Sequence, residues 1–499
     1  MELFTHLNIG LDAVFTLSNL GYCFLGVLLG TLIGVLPGLG PVATIAMLLP
    51  VTYGLPPLSA LIMLSGIYYG AQYGGSTTAI LVNLPGESSS VVTCLDGYAM
   101  ARQGRAGAAL GVAALGSFFA GTVATLVIAA AAAPLAELAL KFGPAEYFSL
   151  MLLGLIAAVV LAQGDVFKAV AMVVLGLVFG LVGTDVNSGV ERFTFGIPEL
   201  ADGISFVVLS MGIFGIAEII VNLERVEHRD VFAARVGSLL PNREDMRLSW
   251  KPVLRGTALG SLLGILPGGG AVLSSFSSYT LEKRLAADPA RFGKGAIEGV
   301  AGPEAANNAG AQTSFIPLLV MGLPSNAVMA LMVGAMMIHG IVPGPQVMTE
   351  RPALFWGLIV SMWIGNLFLV LLNMPLIGLW TRLLKVPYRL LYPVILLFCC
   401  VGVYSVNNSA FEVGLTLFFG VLGYLFVKIR CEPAPLLLGF VLGPMMEENL
   451  RRAMLLARGD ISVFVTRPIS LTLLIAAALL LCLLAWPRAR RTRDLAFQE

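Results

Sequence analysis

The sequence predicts an all-α polytopic membrane protein of about 10–12 transmembrane helices, built as two inverted repeats that contain re-entrant hairpins and broken helices. Three observations lead there. Of the 499 residues, 58% are hydrophobic and 12% charged, with a mean hydropathy of +0.89. A soluble domain of this length has too little interior to hide that much apolar surface. Apolar runs of bilayer length recur along the chain. Finally, an apolar segment interrupted by proline and glycine occurs twice.

The continuous apolar runs predict spans near 58–82, 108–133, 147–162, 166–183, 203–222, 327–342, 353–376, 389–405, 411–428 and 468–486. Interrupted segments lie near 21–51, 254–283 and 300–326, and a short one, PAPLLLGFVLGPMM, at 433–446. The longest polar stretch, Leu223–Arg255, carries seven Lys or Arg and is expected on the cytoplasmic side, as is the tail RARRTR at Arg488–Arg493. No Lys or Arg precedes Arg102, and LDGYAMARQGRAG, with Asp96, Arg102 and Arg105, reads as a cytoplasmic loop with a topological role. The expected organisation is a first membrane repeat over 1–222, a cytoplasmic linker over 223–255, a second repeat over 256–466, and a final helix with a basic tail over 467–499.

The duplication is read from two motif pairs in the same order. GVLLGTLIGVLPGLGP at Gly26–Pro41 aligns with GTALGSLLGILPGGGA at Gly256–Ala271 at a constant offset of 230 (26 to 256, 41 to 271). GAQYGGSTTAILVNLPGES at Gly70–Ser88 aligns with GAQTSFIPLLVMGLPSNA at Gly310–Ala327 with one gap. In the second copy each arm around LPGGG has about thirteen residues, or roughly 20 Å of helical rise, short of a roughly 30 Å bilayer core. Lys251 and Arg255 precede the arms and Lys283 and Arg284 follow them. A hairpin entering and leaving on one face keeps both basic clusters in the cytoplasm; a kinked through-helix is the alternative. The first copy has no basic flanks, which suits entry from the opposite face.

Irregular backbone at membrane depth must be buried in protein or face water. The breaks are therefore expected to line a site where free amides and helix ends hold an anion or a cation. GGSTT at Gly74–Thr78 offers hydroxyl oxygens, and GPEAANNAGAQTS at Gly302–Ser314 brings Glu304, Asn307 and Asn308 into a membrane segment without a basic neighbour in sequence. Glu87 of LPGES and Asn326 of LPSNA occupy matching positions. The six cysteines show no metal or disulfide spacing and read as small apolar fillers. His339 reads as a packing residue. The N-terminus lacks the basic region of a cleavable signal. There is no GxxxxGK[ST], GxSxG or HExxH, so no enzyme class is indicated, although a membrane enzyme or an ion channel stays open on motifs alone. A net charge of +1 gives no reason to expect a nucleic-acid partner.

GVLPGLGP, YYGAQYGGSTTAILVNLPGESSSVVTCLDGYAMARQG, GILPGGG and GPEAANNAGAQTSFIPLLVMGLPSNAVMALMVGA together resemble the large membrane subunit of the tripartite tricarboxylate transporters, the TctA family. After about Arg351 the resemblance rests on hydropathy. It implies a secondary transporter of the bacterial inner membrane that works with a small transmembrane subunit and a periplasmic solute-binding protein. It also implies a carboxylate substrate such as citrate, with no cofactor beyond a coupling ion, Na⁺ or H⁺. On that basis Gly38, Gly40, Ser76, Thr77, Thr78, Asn83, Ser88, Gly268, Gly269, Ser325 and Asn326 are expected at the substrate. Asn307, Asn308, Thr313 and Ser314 are expected at a cation, which would be Na⁺ if a metal ion is bound, and Glu304 in coupling.

Overall fold

The computed structural model of the chain describes residues 2–36, 40–162, 165–185, 187–224, 239–266, 270–383 and 388–485. It is helical nearly throughout. In chain order the principal helices are α1 (Glu2–Val14), α2 (Leu17–Val35), α3 (Pro41–Thr52), α4 (Pro57–Val82), α5 (Ala106–Ala139), α6 (Pro144–Leu161), α7 (Val166–Gly180) and α8 (Phe206–Glu224). The second part holds α9 (Arg243–Leu263), α10 (Gly270–Leu285), α11 (Glu298–Thr313), α12 (Ala327–Ile338), α13 (Pro352–Asn373), α14 (Tyr388–Asn407), α15 (Ala410–Lys428), α16 (Ala434–Leu456) and α17 (Pro468–Ala485). Among the described residues five helices, α2, α5, α8, α13 and α15, are long and apolar enough to cross a membrane, with shorter apolar helices beside them. The chain is an all-α, multi-pass membrane protein.

Within the described residues strand structure is limited to a two-residue ribbon, β1 (Gly183–Thr184) against β2 (Glu191–Arg192), antiparallel with Gly183 opposite Arg192. An ion-pair network ties it to α16: Arg451 reaches Asp185 at 3.0 Å and Glu447 at 2.6 Å, and Arg192 reaches Glu447 at 3.0 Å.

The two halves are assembled on the same seam. On α2, every fourth residue is glycine, and a Cβ on Gly26, Gly30 or Gly34 would lie 2.2–2.4 Å from the carbonyl oxygens of Met63, Ile67 and Ala71 on α4. On α9, Gly256, Gly260 and Gly264 stand in the same relation to the carbonyls of Gly302, Ala306 and Gly310 on α11, again at 2.2–2.4 Å. Small residues at this period let two backbones touch, which is how membrane helices gain packing contact where lipid supplies no hydrophobic drive. The register differs by one residue from the Gly-Ala-Gln alignment. Ala71 receives Gly34, whereas Gly310, the first residue of the second motif, receives Gly264.

The arms of the second interrupted segment lie side by side. Arg255 on α9 donates from Nε to Glu282 Oε1 on α10 at 2.8 Å, with a second contact from Nη2 to Oε2. Arg255 and Glu282 are 27 residues apart (282 − 255), so a straight helix would hold them roughly 40 Å from each other. The kinked through-helix is thereby excluded in favour of a helical hairpin. Its tip, 267–269, falls outside the described residues, as does 37–39 in the first copy. There α3 turns away from α2 and packs on α4, α8, α12 and α14.

Three elements differ from the sequence expectation. α1 carries Glu2, His6 and Asp12, which break up any apolar run, but docks along α13. α9 begins at Arg243, capped by Asn242, whose side chain accepts from Asp245 N at 2.7 Å. A boundary at 255/256 therefore falls inside a helix. The short segment at 433–446 is the apolar half of α16, which continues through Pro444 to Leu456.

Candidate functional site

α4 is buried along almost its whole length and ends at Asn83, whose left-handed φ of 57° terminates the helix. The loop that follows presses back onto it. A Cβ on Gly86 would lie 2.0 Å from Gly34 O and 2.5 Å from Gly75 Cα, and one on Gly75 would lie 2.9 Å from Glu87 Cγ. Two glycines thus allow Glu87 to be laid against α4. The chain then runs through an irregular helical stretch, Ser88–Arg102, before α5.

Glu304, on α11, is 1% exposed and reaches across to the first half. Ser76 Oγ donates to its Oε2 at 2.5 Å, and Thr93 Oγ1 donates to its Oε1. Gln72 O, 2.9 Å from the Ser76 hydroxyl, competes for its proton. One turn along α11, Asn307 Oδ1 meets Ser89 Oγ at 2.8 Å while its Nδ2 faces Glu87 Oε1 at 3.4 Å. Ser89 Oγ also lies 2.8 Å from Gln72 Oε1 and touches Glu87 Oε1. Two carboxylates, one from each half, thus sit among hydroxyls and amides, and none of these partners is basic. An unpaired buried carboxylate is costly, and these hydroxyls and amides are the partners that offset the cost. The arginines on this side are engaged elsewhere: Arg255 with Glu282, and Arg105 with Asp245.

Beside Glu304 lies a cavity of about 20 Å³, lined on its polar side by Tyr73, Ser76, Thr77, Ser117 and Asn373. It holds space for about one water. A tricarboxylate does not fit this cavity.

The sequence-predicted residues divide into three groups. Glu304, Ser76 and Asn307 come together in the cluster, and Thr77 lines the cavity with its hydroxyl on Tyr73 O at 3.4 Å. Others serve the broken helices. Thr78 Oγ1 lies 3.0 Å from Val35 O and 3.3 Å from both Gly34 O and Gly74 O, so its one proton is shared between the end of α2 and its own helix. Gly40 caps α3 and accepts from Thr44, and a Cβ there would meet nothing within 4 Å. Asn326 caps α12 through Met329 N at 2.9 Å, and its Nδ2, without a partner, faces Gly270. Ser325 donates to Ser314 O at 3.3 Å. Thr313 and Ser314 bond the carbonyls of Ala309 and Ala311 on their own helical turn. Asn308 points away from Asn307 and donates to Ser117 Oγ at 2.7 Å and Glu304 O at 3.1 Å. Of the remaining five, Gly38, Gly268 and Gly269 lie outside the described residues, and Asn83 and Ser88 are exposed.

Sequence reasoning missed Gln72, Ser89, Thr93 and Ser117. Gln72 was readable, because it sits four residues before Ser76 on the same helix face. Asp96 is also more than a topological marker. It is fully buried and accepts from Gly295 N and Ala296 N at 2.8 Å and from Tyr279 OH at 3.0 Å, fixing the turn that leads into α11.

In Agrobacterium vitis, the "Uncharacterized 52.8 kDa protein in TAR-I ttuC' 3'region" is 59% identical over 499 residues, spanning 100% of this chain and 99% of that protein. A second protein of the same organism, "Uncharacterized protein in TAR-II ttuC' 3'region", is 60% identical over 240 residues, 48% of this chain and 99% of its own length. No solved structure matches. The pattern of the "Tripartite tricarboxylate transporter TctA family" matches residues 20–438, which include both interrupted segments, both glycine seams and every residue of the carboxylate cluster. The chain belongs to the tripartite tricarboxylate transporter TctA family.

Proposed function

We propose that this chain is the large permease subunit of a binding-protein-dependent secondary transporter. It takes up tricarboxylates or related carboxylates across the bacterial inner membrane, driven by a Na⁺ or H⁺ gradient. A small transmembrane subunit and a periplasmic solute-binding protein complete the system. The observation that carries this reading is Glu304: a carboxylate buried in the bundle, held by Ser76 and Thr93 of the other half, with no basic partner. A charge in that position is neutralised by the coupling ion, and the hydroxyls that hold it belong to the element it must release when the halves move. Substrate carboxylates are received near the breaks, by the backbone at Gly40 and the Ser325–Asn326 turn. An anion bound by helix ends and a co-transported cation dissociates more readily than one locked to arginine.

The test is uptake into proteoliposomes containing both membrane subunits, with the binding protein outside and Na⁺ and pH gradients applied separately. Uptake should need a gradient and should be small at micromolar substrate without the binding protein. Gradient-free flux far above transporter turnover would indicate a channel, and strong uptake without the soluble protein a stand-alone permease.

A further inference from the structure

Ser89 Oγ is surrounded by three oxygens: Gln72 Oε1 and Asn307 Oδ1, each at 2.8 Å, and Glu87 Oε1. A hydroxyl has one proton to give, so it satisfies only one of them. Turning Asn307 does not relieve this. Its Nδ2 already faces Glu87 Oε1 at 3.4 Å, and reversing it would set its carbonyl against the carboxylate instead. Gln72, Ser89 and Asn307 are each 1% exposed and Glu87 is partly exposed, so solvent has little access to the seat beyond Glu87. The cluster is therefore rich in oxygen and short of protons, and it is a built seat: Gly75 and Gly86 supply the backbone clearance that holds Glu87 there.

We propose that Gln72, Glu87, Ser89 and Asn307 form a Na⁺ site that joins the two halves of the permease. This deepens the transport reading above and rests on it. The donor set is all oxygen, which selects a hard cation over a thiol- or imidazole-seeking metal. It offers one carboxylate and three neutral oxygens, whereas divalent sites recruit several carboxylates or keep a water shell. Three ligands come from α4 and the loop behind it, and the fourth, Asn307, from α11. An ion here pins the Leu84–Ser90 loop to α11, so its arrival and departure bear on the same contact that Ser76 and Thr93 make with Glu304. Glu304 itself already has a hydroxyl on each oxygen. The ion therefore takes Glu87 as its direct ligand and offsets the charge of Glu304, one turn from Asn307 on α11, through space.

The site is tested without transport. The purified full-length chain is titrated with NaCl against choline chloride and KCl at constant ionic strength, following thermal unfolding and ²²Na⁺ binding. Na⁺ should stabilise the wild type saturably while K⁺ and choline do not. Glu87→Gln and Ser89→Ala should raise the half-saturating Na⁺ concentration by at least about tenfold. If Glu87→Gln fails to fold, Ser89→Ala alone decides. Equal response to Na⁺ and K⁺, or unchanged Na⁺ titration in the variants, overturns the site. Because no uptake is measured, the two readings fail separately. Gradient-driven uptake with no Glu87-dependent Na⁺ binding removes this site and leaves the transporter. Na⁺ binding without gradient-driven uptake does the reverse.

Discussion

Replacing Gly260 by alanine adds one carbon, and the structure says where it goes. It would lie 2.3 Å from the carbonyl oxygen of Ala306, 2.8 Å from its Cα and 2.9 Å from its carbonyl carbon. Ordinary contact needs roughly 3.5 Å, so α9 and α11 must part by about 1 Å. The obstructing atoms are backbone within a helix and cannot rotate aside. Overpacking of this kind costs about 1–3 kcal/mol. Alanine's better helix propensity returns at most about 1 kcal/mol, so the variant should lose stability on balance. Gly30→Ala makes the corresponding change in the first half, with its Cβ 2.4 Å from Ile67 O, and should cost a similar amount. Gly21→Ala is the control. It lies on the same helix as Gly30 and nothing stands within 4 Å of its Cβ, so it should be neutral or slightly stabilising. The assay is unfolding of the purified chain in mixed micelles by increasing SDS, followed by tryptophan fluorescence. If Gly30→Ala and Gly260→Ala unfold at the same SDS fraction as Gly21→Ala, the seams are not close-packed and the duplication argument built on them fails.

Cysteines at positions 255 and 282 should be joined by a short crosslinker within one chain; failure to crosslink would argue for a straight segment. Cysteines in the Leu223–Arg255 stretch and beside Lys251 and Lys283 should be labelled only from the cytoplasm, and labelling of the two hairpin ends from opposite faces would remove the re-entrant topology. Thr78→Val keeps the shape but leaves the Val35 and Gly34 carbonyls without that hydroxyl, and should cost about 1–3 kcal/mol in the same SDS titration. Glu304→Gln preserves packing while removing the charge, so it should fold and yet lose gradient-driven uptake; uptake at the wild-type rate would take Glu304 out of coupling.

Helices whose apolar residues run unbroken for a bilayer's depth were legible, because lipid demands that pattern. α1, the first half of α9 and the polar half of α16 were not. Each is held by protein contacts and capping, which leave no hydropathy trace. The site was legible where a helical period could be applied. Glu304 and Asn307 are one turn apart on a known helix and converge. Asn308 follows Asn307 by about 100° of rotation and so cannot share its ligand, a distinction that spacing already contained. Ser88 was expected and Ser89 is the residue in the cluster. The irregular stretch after Glu87 has no period from which to choose among three successive serines. Glu87 was noticed for its match with Asn326, but sequence could not show that two glycines fold it back onto α4.

The glycine seams constrain how such a protein can change shape. Two helices whose backbones touch at three successive turns cannot slide past one another by a fraction of a turn, because the next residue in each row carries a side chain that would meet a carbonyl. Nor can they splay without opening a void along their full contact. α2 with α4, and α9 with α11, therefore behave as two stiff beams. Between the beams the direct polar links are a hydroxyl on a carboxylate and an amide beside a serine, bonds that re-form with water or an ion at little net loss, while α5 packs on α11 through Ala120, Ala124, Ala305 and Ala309. A movement of one beam against the other would have to break the first kind of contact and slide along the second.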